Sequence, residues 1–198
     1  MATPIGHSLA GYIIYLATSQ KLKLINDWKK IIIFIFCANL PDLDYLPGFI
    51  IGSPNKFHHG ITHSMGFAIL FCVIAGSVLI LKNRRVLLHY FIVPFSLYFS
   101  HVIIDYFAKD TGAPYGVKLL WPFTNKYFIS NFSIFTDIHK ASTSSIFIQS
   151  LFNLHNLWAI SLEIVFLLPI VLLILILKKG LAKLNSNRLG IETSYKNE

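Results

Sequence analysis

Two apolar stretches constrain this chain more than anything else in it. Residues 65–81 carry no charge, and residues 157–177 carry only one, Glu163. At about 1.5 Å of rise per residue, the second stretch makes a helix about 30 Å long, the thickness of a bilayer's hydrocarbon core. A segment in that environment must satisfy its own backbone, and a helix does so within one stretch of chain. Composition agrees. Of the 198 residues, 55% are hydrophobic and 13% charged, whereas a soluble domain carries about 25% charged residues and needs polar surface to cover its core. The expected fold class is all-α, a polytopic membrane helix bundle of about five helices.

The five segments fall near 5–19, 29–40, 64–81, 86–105 and 157–177. The second is short, because Lys29, Lys30 and Pro41 leave about ten apolar residues, roughly 15 Å of helix. It is expected to stop short of a full crossing. Pro94 and Pro169 lie inside the fourth and fifth segments, where membrane helices tolerate proline if neighbours satisfy the freed carbonyl. Residues 106–156 are too long for a structureless connection. Their aromatic residues, Trp121, Phe123 and Tyr127 among them, favour headgroup depth, so an outer-face interfacial or re-entrant segment is expected. The organisation is one membrane-embedded domain over 1–180 and a polar cytoplasmic tail over 181–198, its last dozen residues frayed.

The net charge of +8 could point to nucleic acid, but the basic residues would then cluster beside groove-reading polar segments. They lie between apolar runs instead. The 20–30 loop (Lys21, Lys23, Lys29, Lys30), the 82–85 loop (Lys82, Arg84, Arg85) and the tail (Lys178, Lys179, Lys183, Arg188, Lys196) hold 12 of the 17 basic residues. A five-helix scheme puts all three on one side, which the positive-inside rule makes cytoplasmic. The N-terminus is then outside and the C-terminus inside, in a membrane of the bacterial cell-membrane type. No nucleic-acid partner is expected; the bilayer is the partner. Cys37 and Cys72 both sit in apolar stretches, which argues against a disulfide framework. The first residues lack the basic region of a secretory signal and are expected to be retained.

The opposite side receives seven of the eight histidines and five of the six aspartates. His101 and Asp105 are four apart, so on a helix they share a face and could converge on one metal ion; the plainer reading is a histidine hydrogen-bonded to its neighbour. Asp42 and Asp44 flank Leu43 after Pro41. They offer hard oxygen ligands, or else are solvated acids at a helix end, where the macrodipole disfavours them unless a cation is near. The run His58-His59-Gly60-Ile61-Thr62-His63-Ser64 is a metal-binding loop or a polar surface loop, with Thr62 or Ser64 able to cap the next helix. His7 alone is ambiguous. His139 and His155 have no metal-type spacing, His89 reads as interfacial, and Glu163 pairs with a lysine or faces the bundle interior.

The ordered set His7, Pro41-Asp42-Leu43-Asp44, His58 to Ser64 and His101-x-x-x-Asp105, followed by Asp110-Thr111-Gly112 and Leu119-Leu120-Trp121-Pro122-Phe123, resembles the membrane-bound metal-dependent hydrolases, including the LexA-regulated, YdjM-like members. The resemblance spans roughly residues 5–140. A more distant similarity is to the zinc-dependent phospholipases C and fungal single-strand nucleases. Together these imply metal ligands among His7, Asp42, Asp44, His58, His63, His101 and Asp105, with Asp105 bridging two ions and Asp105 and His63 carrying catalysis. They imply zinc, with manganese as the alternative, in one or two ions, because the second His-x-x-x-Asp/Glu pair of those enzymes has no counterpart here. His59 departs from the hydrolase pattern, which commonly has arginine there; histidine replaces a permanent charge by a pH-dependent one.

The function implied is hydrolysis of a phosphoester, with a phospholipid as a natural candidate at the outer leaflet. Lys109, Lys118, Lys126 and Lys140 are within reach of such a phosphate but read more simply as solvated. The alternative is a transporter or ion-conducting protein using the same His/Asp cluster for cations or protons. Such proteins commonly carry inverted repeats, and none is visible here. A catalytically silent scaffold is the third reading.

Overall fold

A computed structural model of the chain describes residues 1–19, 27–84 and 88–195, with side chains as far as residue 184. Among the orientation-setting residues, Lys21, Lys23, Arg85 and Lys196, and the side chain of Arg188, lie outside the described residues. The described elements are helical: α1 (Pro4–Thr18), α2 (Trp28–Asn39), α3 (Tyr45–Ile50), α4 (Met65–Asn83), α5 (His89–Tyr106), α6 (Ser144–Ser150) and α7 (Leu154–Tyr195). The all-α membrane bundle with five long helices is the observed architecture, and the expected segment limits agree with α1, α2, α4 and α5 to within a few residues.

Local chemistry sets the helix starts. Thr3 caps α1 through its hydroxyl, which accepts from the Ile5 and Gly6 amides, and Pro4 occupies the first helical position, where a missing N–H costs nothing. Ser64, not Thr62, caps α4 by accepting from Phe67 N–H. Arg84 ends α4 in the left-handed region at φ 52°. α5 and α7 both continue through their prolines.

Three helical stretches are long and apolar enough to cross a bilayer: Trp28–Ile50, Met65–Asn83 and Leu154–Leu184. The first joins α2, itself as short as expected at 12 residues, to the helical turns that follow it. After Pro41 the chain turns as a 3-10 helix over Leu40–Asp44 and runs directly into α3, because proline is compatible with the first turn of a new helical stretch. The frayed end is corrected: α7 stays helical to Tyr195, since neither Gly180 nor the polar residues beyond it break a helix.

α1 is the central helix, packed against α2, α5 and α7, while α4 pairs with α5. Gly11 allows the approach to α2, as a Cβ there would lie 2.9 Å from the Phe34 carbonyl and 3.0 Å from Ala38 Cβ. Small residues at such crossings are how membrane helices pack closely. Ile32, Ile33 and Phe36 of α2, Ile69, Val73 and Ile74 of α4, and Leu172, Leu173 and Ile176 of α7 face outward, the surface lipid covers. Among the described residues, the fully buried histidines and acids gather at one end.

The helices alternate in direction. The N-termini of α1, α4 and α7 and the C-termini of α2 and α5 therefore meet at one end. The 106–153 segment folds over that end without a named strand. It is tied to α4, where the amides of Met65 and Gly66 donate to the Leu119 and Trp121 carbonyls at 2.9 and 3.0 Å, satisfying donors that a helix start leaves open. Further ties are Ser130 N–H to Tyr106 O at 3.0 Å and Ser144 N–H to Gly52 O at 3.2 Å.

Candidate metal centre

All seven residues expected as ligands meet at this end. His101 and Asp105 project from the last turns of α5, as their spacing requires, and both are buried. Asp42 and Asp44 come from the 3-10 turn after α2, and His58 and His63 from the loop before α4. His7 comes from the second turn of α1 and is fully buried.

Four of them make a cage. The Nε2 atoms of His63 and His101 are 3.1 Å apart. His63 Nε2 is 3.6 Å from Asp42 Oδ1 and 3.5 Å from Asp105 Oδ2, and His101 Nε2 is 3.4 and 3.3 Å from the same two oxygens. A zinc ion bonded at about 2.0–2.2 Å to four tetrahedral ligands separates them by about 3.3–3.6 Å. Five of the six edges of the cage therefore match that geometry to within a few tenths of an ångström. Asp42 Oδ1 and Asp105 Oδ2 are buried and have no hydrogen-bond donor. Two carboxylate oxygens without donors, facing two imidazoles, would be costly unless a cation joined them. The residues fit a divalent ion.

The ligand rings are aimed by their other nitrogens. His101 Nδ1–H donates to the Ala38 carbonyl at 2.9 Å, a partner that only accepts, so its Nε2 lone pair faces the cage. His63 Nδ1 meets the Thr62 hydroxyl at 3.2 Å and lies 3.1 Å from Asp44 Oδ2, the oxygen to which Thr62 donates at 2.8 Å. This is the carboxylate–histidine arrangement that orients metal ligands. Asp44 Oδ1 meets His58 Nδ1 at 3.0 Å. Asp42, Asp44 and His58 form a second group with one donor atom each within 4.8 Å of the others. Burial, with the neighbouring His59 and Lys140 adding to it, holds the His58 imidazole well below its usual value. It is thus neutral and a competent ligand. Burial also disfavours a charged His63, but Asp42 and Asp44 outweigh it and raise His63 above its ordinary value: the pocket favours positive charge.

His7 stacks on His101, ring centroids 3.5 Å apart and 12° from parallel. Its Nε2 is 3.5 Å from Asp105 Oδ1, and neither ring nitrogen has a hydrogen-bond partner. Asp105 Oδ1 accepts from the Ala2 amide at 2.7 Å.

The structure adds residues that the sequence reading did not assign. His59, at φ 63°, places Nε2 3.6 Å from Asp105 Oδ2 and Nδ1 3.3 Å from Asp110 Oδ2. Its neighbours in the loop were signal enough to include it. Burial pushes the Asp110 carboxyl up, but His59 and the Gly116 and Gly112 amides outweigh it and hold it well below the usual range. Lys140 is the one lysine of the four considered that reaches the cluster, donating to the Tyr45 hydroxyl at 2.6 Å. Burial lowers its ammonium below the ordinary value while Asp105 and Asp42 act in the opposite sense. No spacing along the chain signals it. Glu163 faces the interior rather than a lysine: its carboxylate accepts from Thr3 N–H at 2.5 Å, from the Thr3 hydroxyl and from Gly6 N–H at 2.9 Å. His139 and His155, set aside on spacing, also have partners, but away from this cage.

Beside the cage lies a cavity of about 980 Å³, walled by Leu43, Phe57, Ile61, Phe67 and Phe71, with Asp44, His58 and Lys118 among its polar lining.

A family model described as the YdjM inner membrane protein matches residues 1–183 of the chain. No curated protein and no solved structure matches it.

Proposed function

We propose that this chain, which belongs to the YdjM inner membrane protein family, is a membrane-embedded, metal-dependent hydrolase of phosphoesters. The observation that carries the reading is the cage of Asp42, His63, His101 and Asp105, with its 3.1–3.6 Å edges and two donorless carboxylate oxygens. Two imidazoles and two carboxylates are a donor set for zinc, with manganese the alternative. Charge supports one or two ions. Asp42, Asp44, Asp105 and Asp110 crowd one site with the Lys140 ammonium and the N-terminal amine nearby, so one dication brings the balance near neutrality and a second makes it positive. A second ion would be held by Asp42, Asp44 and His58.

When bound, the ion or ions supply a nucleophile from water at neutral pH and neutralise charge developing on the phosphoryl oxygens. The chain's own groups do the rest. Asp44 and the Ala38 carbonyl hold His63 and His101 in the ligating tautomer. His7, stacked on His101 with both nitrogens unpartnered, is placed to accept a proton and return it to a leaving alkoxide. Lys140 and the Tyr45 hydroxyl are placed to hold the substrate phosphate. The apolar cavity opening beside Asp44 and His58 suits an acyl chain, which favours a phospholipid.

The test is metal analysis of detergent-purified protein, followed by assays on phospholipids and soluble phosphodiesters. Wild type should carry at least one equivalent of zinc or manganese per chain and cleave a phosphoester. Asp42→Asn and Asp105→Ala should lose both properties. Folded wild type that takes up no divalent metal, or holds it and cleaves none of these esters, would overturn the proposal.

A further inference from the structure

A second group of donors lies outside the cage, on two segments far apart in sequence. Asp137 and His139 belong to the segment covering the polar end, and His155 to the first turn of α7. His155 Nε2, which donates to the Asp137 carbonyl at 3.0 Å, is 3.3 Å from Asp137 Oδ1, and His139 Nε2 is 3.8 Å from Asp137 Oδ2. One donor atom from each lies within 4.8 Å of the other two. The two imidazoles stack in parallel, centroids 3.8 Å apart and planes 7° apart. The group shares no residue with the cage or with the trio beside it.

The arrangement is built rather than incidental. Asp137 is 6% exposed, and its two oxygens accept from Thr111 at 2.8 Å and Thr136 at 3.1 Å. Asn156, buried beside His155, accepts from the His139 amide and donates to the His139 carbonyl, both at 2.8 Å. Both histidines are thus brought to one carboxylate by a clamp of backbone bonds. The 3.8 Å gap from His139 Nε2 to Asp137 is too long for a hydrogen bond and slightly wider than the roughly 3.3–3.6 Å between two ligands of one tetrahedral zinc-sized ion. The His139 side chain is 59% exposed and that of His155 33%, so ions have access and the rings have room to turn out of the stack until both face one ion, His155 exchanging its bond to the Asp137 carbonyl for it.

We propose that Asp137, His139 and His155 bind a second, solvent-accessible divalent cation of the zinc class. Two imidazoles and one carboxylate select borderline metals over calcium or magnesium, and three ligands leave a position for water. The ion staples the 136–139 stretch to the start of α7. Thr111, bonded to Asp137, adjoins Asp110, bonded to His59, so the staple secures the cover over the buried centre. It stands or falls apart from the hydrolase reading.

The experiment counts zinc bound by the purified full chain and measures its affinity by competition with a chromophoric chelator. Wild type should bind one equivalent more than His139→Ala or His155→Ala, both variants keeping whatever the cage holds. His139 is exposed, so its loss leaves the fold intact, and His139→Gln provides a second variant of near-native size. The 106–153 segment should also be cut faster by protease in His139→Ala than in zinc-loaded wild type. Equal zinc stoichiometry, with affinities within threefold, in wild type and both His139 variants would overturn the proposal. His101→Ala should retain the exposed equivalent, which separates failure of this site from failure of the cage.

Discussion

At the scale of single residues, the proposed site separates groups that would hold an ion from groups that would aim the holders. Asp42, His63, His101 and Asp105 present converging atoms, whereas one oxygen of Asp44 accepts from Thr62 and lies 3.1 Å from His63 Nδ1. Removing an orienting partner of this kind typically costs 10–100-fold in metal affinity. Asp44→Asn should therefore weaken zinc binding at the cage by roughly tenfold or more without abolishing it, while Asp42→Asn abolishes it; chelator competition measures both. If Asp44→Asn bound zinc as tightly as wild type, Asp44 would not be aiming His63. The candidate ligands other than His7 were legible in the sequence because local spacing carried them: four residues of helix for His101 and Asp105, one turn for Asp42 and Asp44, one loop for His58 and His63; His7 entered only through the family resemblance. Lys140 and the pairing of His139 with His155 were not legible. Their partners come from segments that meet only in the folded chain, and no period along the sequence encodes such a meeting.

At the scale of elements, one buried carboxylate joins the last helix to the first. Glu163 of α7 accepts from the Thr3 and Gly6 amides at the start of α1, where the helix dipole favours negative charge. Gly6 makes room for it, since a Cβ there would lie 2.7 Å from Glu163 Oε2. His7 follows Gly6 directly, so the contact that anchors α1 also places His7 over His101. Glu163→Ala leaves the Thr3 amide without its buried acceptor, a cost of about 1–3 kcal/mol. The thermal unfolding midpoint in detergent should fall, whereas zinc content should persist because no cage ligand is touched. An unchanged midpoint would make Glu163 a passive neighbour. The helices themselves were readable from their apolar runs and caps. The continuation of α2 into α3 was not, because Pro41 marks both the end of one helix and the first turn of the next. The cover over residues 106–153 was readable only as a segment too long to be bare loop, since its fold rests on scattered backbone bonds to α4, α5 and the 51–53 turn.

At the scale of the whole molecule, helix direction and charge combine to predict which way the protein faces. The long helices bring their buried histidines and acids to the same end, and the opposite ends carry Lys29 and Lys30 in the first turn of α2, Lys82 at the end of α4, and Lys178 and Lys179 in α7. Basic residues flanking apolar helices remain on the cytoplasmic side, so the metal centre should open on the other face. Had the apolar runs been read with one helix more or fewer, the C-terminus would change sides; the alternation of α1, α2, α4, α5 and α7 removes that ambiguity from the fold but not from its placement in the membrane. Single cysteines in a background lacking Cys37 and Cys72 decide it. Asn125→Cys, exposed in the cover, should react with a membrane-impermeant maleimide on intact cells. Gly180→Cys, beyond the other end and open on all sides, should react only after the membrane is permeabilised. The reverse pattern would put the cage on the cytoplasmic face, and with it any phospholipid substrate in the inner leaflet.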